Sequence, residues 1–242
     1  MSRFFASLIT VLMTVLMTVL AGSAAPPACT DEARGALVAA AALVDSGDDT
    51  VALDTLRAKY DAGACHALAV AAWSLRGWHA AGAADARGGA PDTLADVTAA
   101  VNTLDGLGPG VSAAGYASAL LHAATAAAQD ERDELRLWLD QARDVSRRLA
   151  LNEPAPRWPL PIDRAEGELW MRVDDFELAE RAFTTALRLE ATAAAFRGLA
   201  RARDRRGQRG PACAAYREVA SRAAAGSAYA VEARGYLLLC TP

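Results

Sequence analysis

Two stretches of sequence 33 residues apart decide the fold: Ala-Glu-Arg-Ala-Phe-Thr-Thr-Ala at 179–186 and Ala-Cys-Ala-Ala-Tyr-Arg-Glu-Val at 212–219. In the first stretch Ala179, Phe183 and Ala186 follow the i, i+4, i+7 spacing that places residues on one face of a helix. The second stretch repeats this spacing. A pattern that recurs at such a period indicates stacked supersecondary units.

An earlier helix and a turn precede each stretch at the same offset. Gly167 corresponds to Ala200, and the turn residue Asp174 corresponds to Gly207. Antiparallel helices can approach closely where small residues meet, and an aromatic side chain fills the gap beside them. The repeated unit is therefore predicted to be a helical hairpin with small residues at its crossing and an aromatic ring next to it.

This pattern resembles the signature of tetratricopeptide (TPR) repeats. The matching first-helix positions are Gly167, Trp170, Phe196, Leu199 and Ala200. The resemblance covers the residues from Asp163 to Ser227, and it departs from the family at Ala191 and Ala224, where a proline usually closes the repeat. It implies a right-handed solenoid of antiparallel hairpins that binds protein partners.

The rest of the chain is also predicted to be helical. Turn signals such as those at 47–49, 88–91 and 106–110 divide it into about eleven helical segments. The chain is rich in alanine, the best helix former, and poor in aromatic and β-branched residues, so a sheet is not expected. We predict an all-α fold of about five stacked hairpins, closed by a C-terminal capping helix that ends at Cys240.

The first 25 residues have the features of an export signal. Arg3 is followed by an apolar run that ends in small residues at 21–25. We therefore expect residues 1–25 to be a signal peptide of a periplasmic or secreted protein. The run approaches the ~20 apolar residues that span a bilayer, so an uncleaved N-terminal anchor remains the alternative.

A proline-rich segment at 152–161 is predicted to be a stiff, extended linker. It would separate degenerate N-terminal hairpins at 26–151 from the TPR-like repeats and cap at 162–242. Within it, Trp158 is expected to pack on its neighbours.

The cysteine pattern favours two disulfides, because an even number of cysteines in an exported chain indicates oxidised pairs. The cysteines are Cys29, Cys65, Cys213 and Cys240. Three pairings are possible, and clustering at the two ends favours Cys29 with Cys65 and Cys213 with Cys240. These bridges would bracket the first and last hairpins. Each would stabilise the fold by roughly 3 to 4 kcal/mol.

Motifs for catalysis and cofactor binding are absent from the sequence. It contains no zinc-protease, phosphate-loop or hydrolase-elbow pattern. The formal net charge of −4 argues against general binding to nucleic acid or anionic membranes. We expect a non-catalytic protein without cofactor or metal. The alternatives are a secreted helical enzyme with a carboxylate-based site, and a metal-binding helical domain using Cys65 and His66.

The most specific hypothesis for a binding site concerns the first helices of the two repeats, which in TPR proteins line a concave groove. Their charged stripe lies opposite the small packing residues. It consists of Arg164, Glu168, Met171, Arg172, Arg197, Arg201, Asp204 and Arg205. Arginines bind carboxylates through charge-assisted, often bidentate hydrogen bonds, so the stripe favours an acidic peptide as partner. The alternative is a solvated helix face.

Overall fold

In the part of the chain that the structure describes, helices form where the alanine-rich sequence runs without a turn signal. The computed structural model describes residues 29–61, 65–86, 88, 94–108, 110, 112–151, 158 and 160–240, and these ranges contain eleven α-helices and no strand. The helices are α1 Asp31–Ser46, α2 Asp49–Asp61, α3 His66–Asp85, α4 Ala95–Leu107, α5 Ala113–Ala128, α6 Arg132–Ala150, α7 Ile162–Arg172, α8 Phe176–Leu189, α9 Ala193–Arg205, α10 Arg209–Arg222 and α11 Ala228–Leu237. The predicted signal segment and residues 152–157 and 159 of the predicted linker lie outside the described ranges.

Local sequence sets the helix ends. Thr192 and Ser227 accept hydrogen bonds from the backbone N–H groups three residues later, as N-cap side chains do. The predicted inter-helix turns at Asp174 and Gly207 both adopt left-handed backbone, with φ of 56° and 74°. That conformation suits glycine best and aspartate better than most residues, so these two positions can reverse the chain between helices.

Consecutive helices pack as hairpins, α1 with α2 through α9 with α10, and α11 packs on α10. The first helices α3, α5, α7, α9 and α11 also contact one another in order, which forms a continuous layer. The second helices α2, α4, α6, α8 and α10 each contact the next hairpin as well. The predicted all-α stack of five hairpins and a cap is confirmed for the described residues.

Aromatic side chains fill the helix crossings at the positions that the sequence predicts. Phe183 is fully buried. A Cβ added to Gly167 or Gly198 would lie 2.7 or 2.2 Å from its ring. Tyr216 in the next repeat is 3% exposed and stacks on Tyr236 at 4.2 Å between ring centroids. The absence of a side chain at the two glycines therefore makes room for the Phe183 ring.

One hydrophobic cluster extends from Ala33 to Ala202, across the predicted linker, and a smaller one covers Ala193 to Ala233. Tyr116 on α5 is fully buried, and its hydroxyl donates a hydrogen bond of 2.6 Å to the carbonyl oxygen of Leu160. This bond attaches the segment before α7 to the middle of the stack.

Both predicted disulfides are formed. Cys29 is bonded to Cys65 and Cys213 to Cys240, with Cα–Cα distances of 5.0 and 5.9 Å. Because the sulfur of Cys65 is in a disulfide, it offers no thiolate to a metal beside His66. Among the described residues there is no group of three or more metal-ligating side chains. No described helix has the length and apolar character needed to cross a bilayer.

Replacing Phe183 with alanine should lower the free energy of unfolding by about 3 to 5 kcal/mol, because two glycine-lined helices cannot close the cavity that the ring leaves. Urea denaturation followed by circular dichroism measures this change. Leu189→Ala on the same helix is the matched control, since Leu189 is 76% exposed. Equal unfolding midpoints for the two variants would contradict the packing role of Phe183.

Candidate functional site

The charged stripe on α7 and α9 does not face open solvent along its whole length. Its first part contacts the N-terminal helices: Arg164 bonds to Asp45 of α1, Arg172 lies over Trp78 of α3, and α1 contacts α9 directly. The N-terminal hairpin therefore covers part of the surface predicted to be a groove.

We call the packing of the N-terminal hairpin against the C-terminal helices the closure. Arg164 makes its central contact. Its guanidinium donates 2.7 Å to a carboxylate oxygen of Asp45, 3.3 Å to the carbonyl oxygen of Val44 and 3.5 Å to the hydroxyl of Tyr229. The residue is 6% exposed. A charge-assisted hydrogen bond such as the one to Asp45 is stronger than a neutral one. Arg164 on α7 thus joins α1 to α11.

The turn between α1 and α2 fits against α11 only because it contains a glycine. Gly47 has φ of 88° and caps α1, and a Cβ at this position would lie 2.4 Å from the ring of Tyr229. Any other residue here would have a strained backbone, and its side chain would clash with the Tyr229 ring. The contact between the N-terminal hairpin and the cap therefore depends on Gly47.

Arg197 is also neutralised within the chain. Its Nε donates 2.6 Å to Glu232, and its guanidinium lies over the ring of Tyr229 at 4.7 Å from the centroid. The hydroxyl of Tyr216 donates 3.0 Å to the other oxygen of Glu232. Glu232 on α11 thus holds α9 and α10 together.

Arg172 lies at the opposite end of α7, with its guanidinium 4.8 Å from the ring centroid of Trp78 on α3. Burial lowers its pKa, and one guanidinium nitrogen has no hydrogen-bond partner among the described residues. Glu168 and Met171 on the same helix are partly buried. These three residues face the interior more than the solvent.

The accessible part of the stripe is on the second half of α9. Arg201, Asp204 and Arg205 are exposed. Arg205 forms an ion pair of 3.1 Å with Asp174, in which both side chains are more than half exposed, and Asp204 accepts a hydrogen bond from the hydroxyl of Tyr236. Arg201 forms no hydrogen bond or ion pair with the described residues.

Comparison with solved structures relates this architecture to a known one. The crystal structure of a thermophilic TPR protein from Thermus thermophilus superposes with a TM-score of 0.53 and 19% sequence identity, covering 85% of this chain and 99% of that chain. The fold is TPR-like. No family model matches the sequence, and no curated protein matches it.

The TPR-like fold also holds a partly buried carboxylate, Asp49, at the start of α2. Burial raises its pKa; the charge of Arg164 opposes this shift, Glu168 adds to it, and His79 and Arg197 oppose it. One of its oxygens is buried without a hydrogen-bond partner among the described residues. Asp49 therefore lies among the same arginines that the sequence assigned to a partner site.

Sequence reasoning missed the intramolecular partners of the stripe: Asp45, Asp49, Tyr229 and Glu232. The sequence did contain one sign of these partners, since three carboxylates flank the turn glycine within residues 45–49. The repeat register, however, places that hairpin at the far end of the stack. The closure brings this acidic turn to the arginines, and a linear reading of the repeats does not show that contact.

Replacing Arg164 with methionine should destabilise the protein by about 3 kcal/mol or more, because Asp45 and the Val44 carbonyl would lose their donor in a buried site. Urea denaturation at neutral pH measures the change. Arg181→Met is the matched control, since Arg181 forms an exposed pair with Glu177 on one helix and such pairs contribute about 0.5 kcal/mol. An Arg164 variant as stable as this control would show that the closure needs no ion pair.

Replacing Asp49 with asparagine should stabilise the protein at neutral pH. As the pH rises above about 4, the unfolded carboxyl ionises while the folded one remains protonated up to its raised pKa. The stability that the protonated folded carboxyl contributes is therefore lost as the pH rises through that range. Urea midpoints from pH 3 to pH 8 should separate on rising pH and converge at the acid end. Asp54→Asn, on the exposed face of α2, is the control, and a parallel response of both variants would refute the effect of burial.

Proposed function

We propose that this protein is an exported, non-catalytic interaction module that binds an acidic segment of a protein partner. The observation that carries this proposal is the exposure of Arg201 and Arg205 on the charged stripe. On the same stripe, Arg164 and Arg197 are already bound to carboxylates of the chain. The binding surface is thereby confined to the second half of α9 and its neighbours.

The two disulfides support export, because such bonds form and persist in oxidising compartments. The apolar N-terminal segment at 1–25 supports it independently. The TPR-like architecture supports a binding role.

The distribution of charge favours binding of an acidic segment at this surface. Arg201 and Arg205 are one turn apart, so two guanidinium groups can reach neighbouring carboxylates of one ligand. The exposed pair between Arg205 and Asp174 contributes little to stability, so a ligand carboxylate can replace Asp174 at small cost. The negative net charge of the protein repels the same ligand elsewhere and so orients its approach.

Charge reversal at Arg201 and Arg205 should weaken binding of an acidic peptide by about ten-fold or more, since each charge-assisted hydrogen bond contributes roughly 1.5 to 3 kcal/mol. The probe is a fluorescent, proline-containing peptide rich in glutamate, compared with its glutamine counterpart by anisotropy. Wild-type protein should prefer the glutamate peptide, and rising salt should reduce that preference.

The matched control is the double variant Arg147→Glu and Arg148→Glu on α6, where both arginines are exposed and pair with Asp144. It changes the net charge by the same amount at another surface. Equal loss of binding in the two double variants would mean that only overall charge matters, and the assignment of the site to α9 would be wrong.

A further inference from the structure

Helix α11, the last of the described helices, presents a second surface that is separate from the charged stripe. Helix α11 buries Tyr229, Ala230 and Ala233 against α9 and α10. Its opposite side carries Ala228, Val231 and Gly235, and Leu238, directly after the helix, continues the same spacing; all four are exposed. Val231 is 57% and Leu238 78% exposed. We call these four residues, with the exposed Leu239 that follows, the cap stripe.

The cap stripe contains no carboxylate. Helix α11 contains one, Glu232, and this side chain is bound to Arg197 and Tyr216. The stripe is therefore an apolar surface at the end of the stack, where a following helix would pack if the hairpin pattern continued. Contiguous exposed apolar surface of this kind marks interaction sites.

Arginines flank the cap stripe. An open groove of about 570 Å³ next to Leu239 is lined by Arg209 and Arg217 of α10 and by the Cys213–Cys240 disulfide. Arg234 lies on the exposed side of α11. None of these three arginines forms an ion pair with a carboxylate of the described residues. The end of the solenoid is therefore locally basic on a protein of negative net charge.

We propose that the cap stripe docks an amphipathic helix of a protein partner, with apolar side chains toward Val231 and Leu238 and carboxylates toward Arg209, Arg217 and Arg234. A helix is the occupant that fits best, because the stripe runs along a helix axis and its small residues Ala228 and Gly235 allow close approach of a second backbone. A second copy of this chain would bring basic residues against basic residues.

The Cys213–Cys240 disulfide gives this surface a fixed shape. It ties Cys240, three residues after the end of α11, to Cys213 in the N-terminal half of α10, so the end of the cap cannot separate from the helix beneath it. A partner helix would then dock on a surface that is already ordered, which lowers the entropic cost of association.

The test uses a helical peptide of about 20 residues, with leucines along one face and glutamates beside them, and a second peptide with glutamine in place of glutamate. Binding to the ¹⁵N-labelled full chain is followed by amide chemical shifts. The expected result is saturable binding that perturbs residues 228–239 and 209–217. The glutamate peptide should bind about ten-fold more tightly than the glutamine peptide, because the site supplies three arginines.

Gly235→Glu is the decisive variant, because a side chain at Gly235 would meet no atom within 4 Å and so leaves the fold intact. It should weaken binding at least about ten-fold, since it puts bulk and negative charge at the centre of the contact. Gly35→Glu on α1 is the matched control, an exposed helical glycine with equally open surroundings, and it should bind like the wild type.

Three results would overturn the proposal. The first is that the peptides do not bind, or bind equally to both glycine variants. The second is a wild-type dimer in sedimentation equilibrium that Gly235→Glu dissociates, which would assign the stripe to self-association. The third is binding to phosphatidylglycerol vesicles that Gly235→Glu abolishes and Gly35→Glu does not, which would assign it to a lipid surface. The proline-containing glutamate peptide that tests α9 is a different ligand. The proposals for α9 and for the cap stripe can therefore be confirmed or contradicted independently.

Discussion

The buried guanidinium of Arg164 constrains the whole architecture, because it must be neutralised where solvent cannot reach it. Its partners come from the first and the last of the helices in the described residues, α1 and α11. A single side chain on α7 therefore connects the two ends of the stack. Removing a charge of this kind from water is costly unless it is paired, so the ion pair with Asp45 favours this position of the N-terminal hairpin. The buried Nε of Arg164 has no hydrogen-bond partner among the described residues.

The closure depends on the same use of small residues as the hairpins themselves. Gly167 and Gly198 leave room for Phe183, and Gly47 leaves room for Tyr229. In each case a ring occupies the volume that a side chain would have taken. Because the alanine-rich core has few large side chains, these rings determine the distances between the helices. Those distances are therefore sensitive to any change at the facing glycines.

The sequence allowed the fold and the disulfides to be predicted because those depend on local spacing. The positions of Phe183 and Tyr216, the turns at Asp174 and Gly207, and the cysteine pairs all follow from patterns within about forty residues. The candidate site could not be predicted to the same extent. Arg164 and Asp45 are 119 residues apart, and no periodic pattern indicates that their helices meet. The repeat register identified Arg201 and Arg205 as surface residues of the same helix as Arg197, but only the tertiary contact separates the occupied arginines from the accessible ones.

The closure between α1 and the C-terminal helices also changes how the protein should unfold. An open repeat array behaves as a one-dimensional chain in which each unit is supported only by its neighbours, so its ends fray first and its interior follows. Here the terminal hairpin is held by Arg164 and by the Cys29–Cys65 bond, and the cap is held by Tyr229 and the Cys213–Cys240 bond. Because both terminal units are held in this way, partially unfolded states that begin at the ends are no longer low in free energy. Amide protons of α1 and α11 should then exchange with solvent only through the same large-scale opening that exposes α5, which makes a modular chain behave as one cooperative unit.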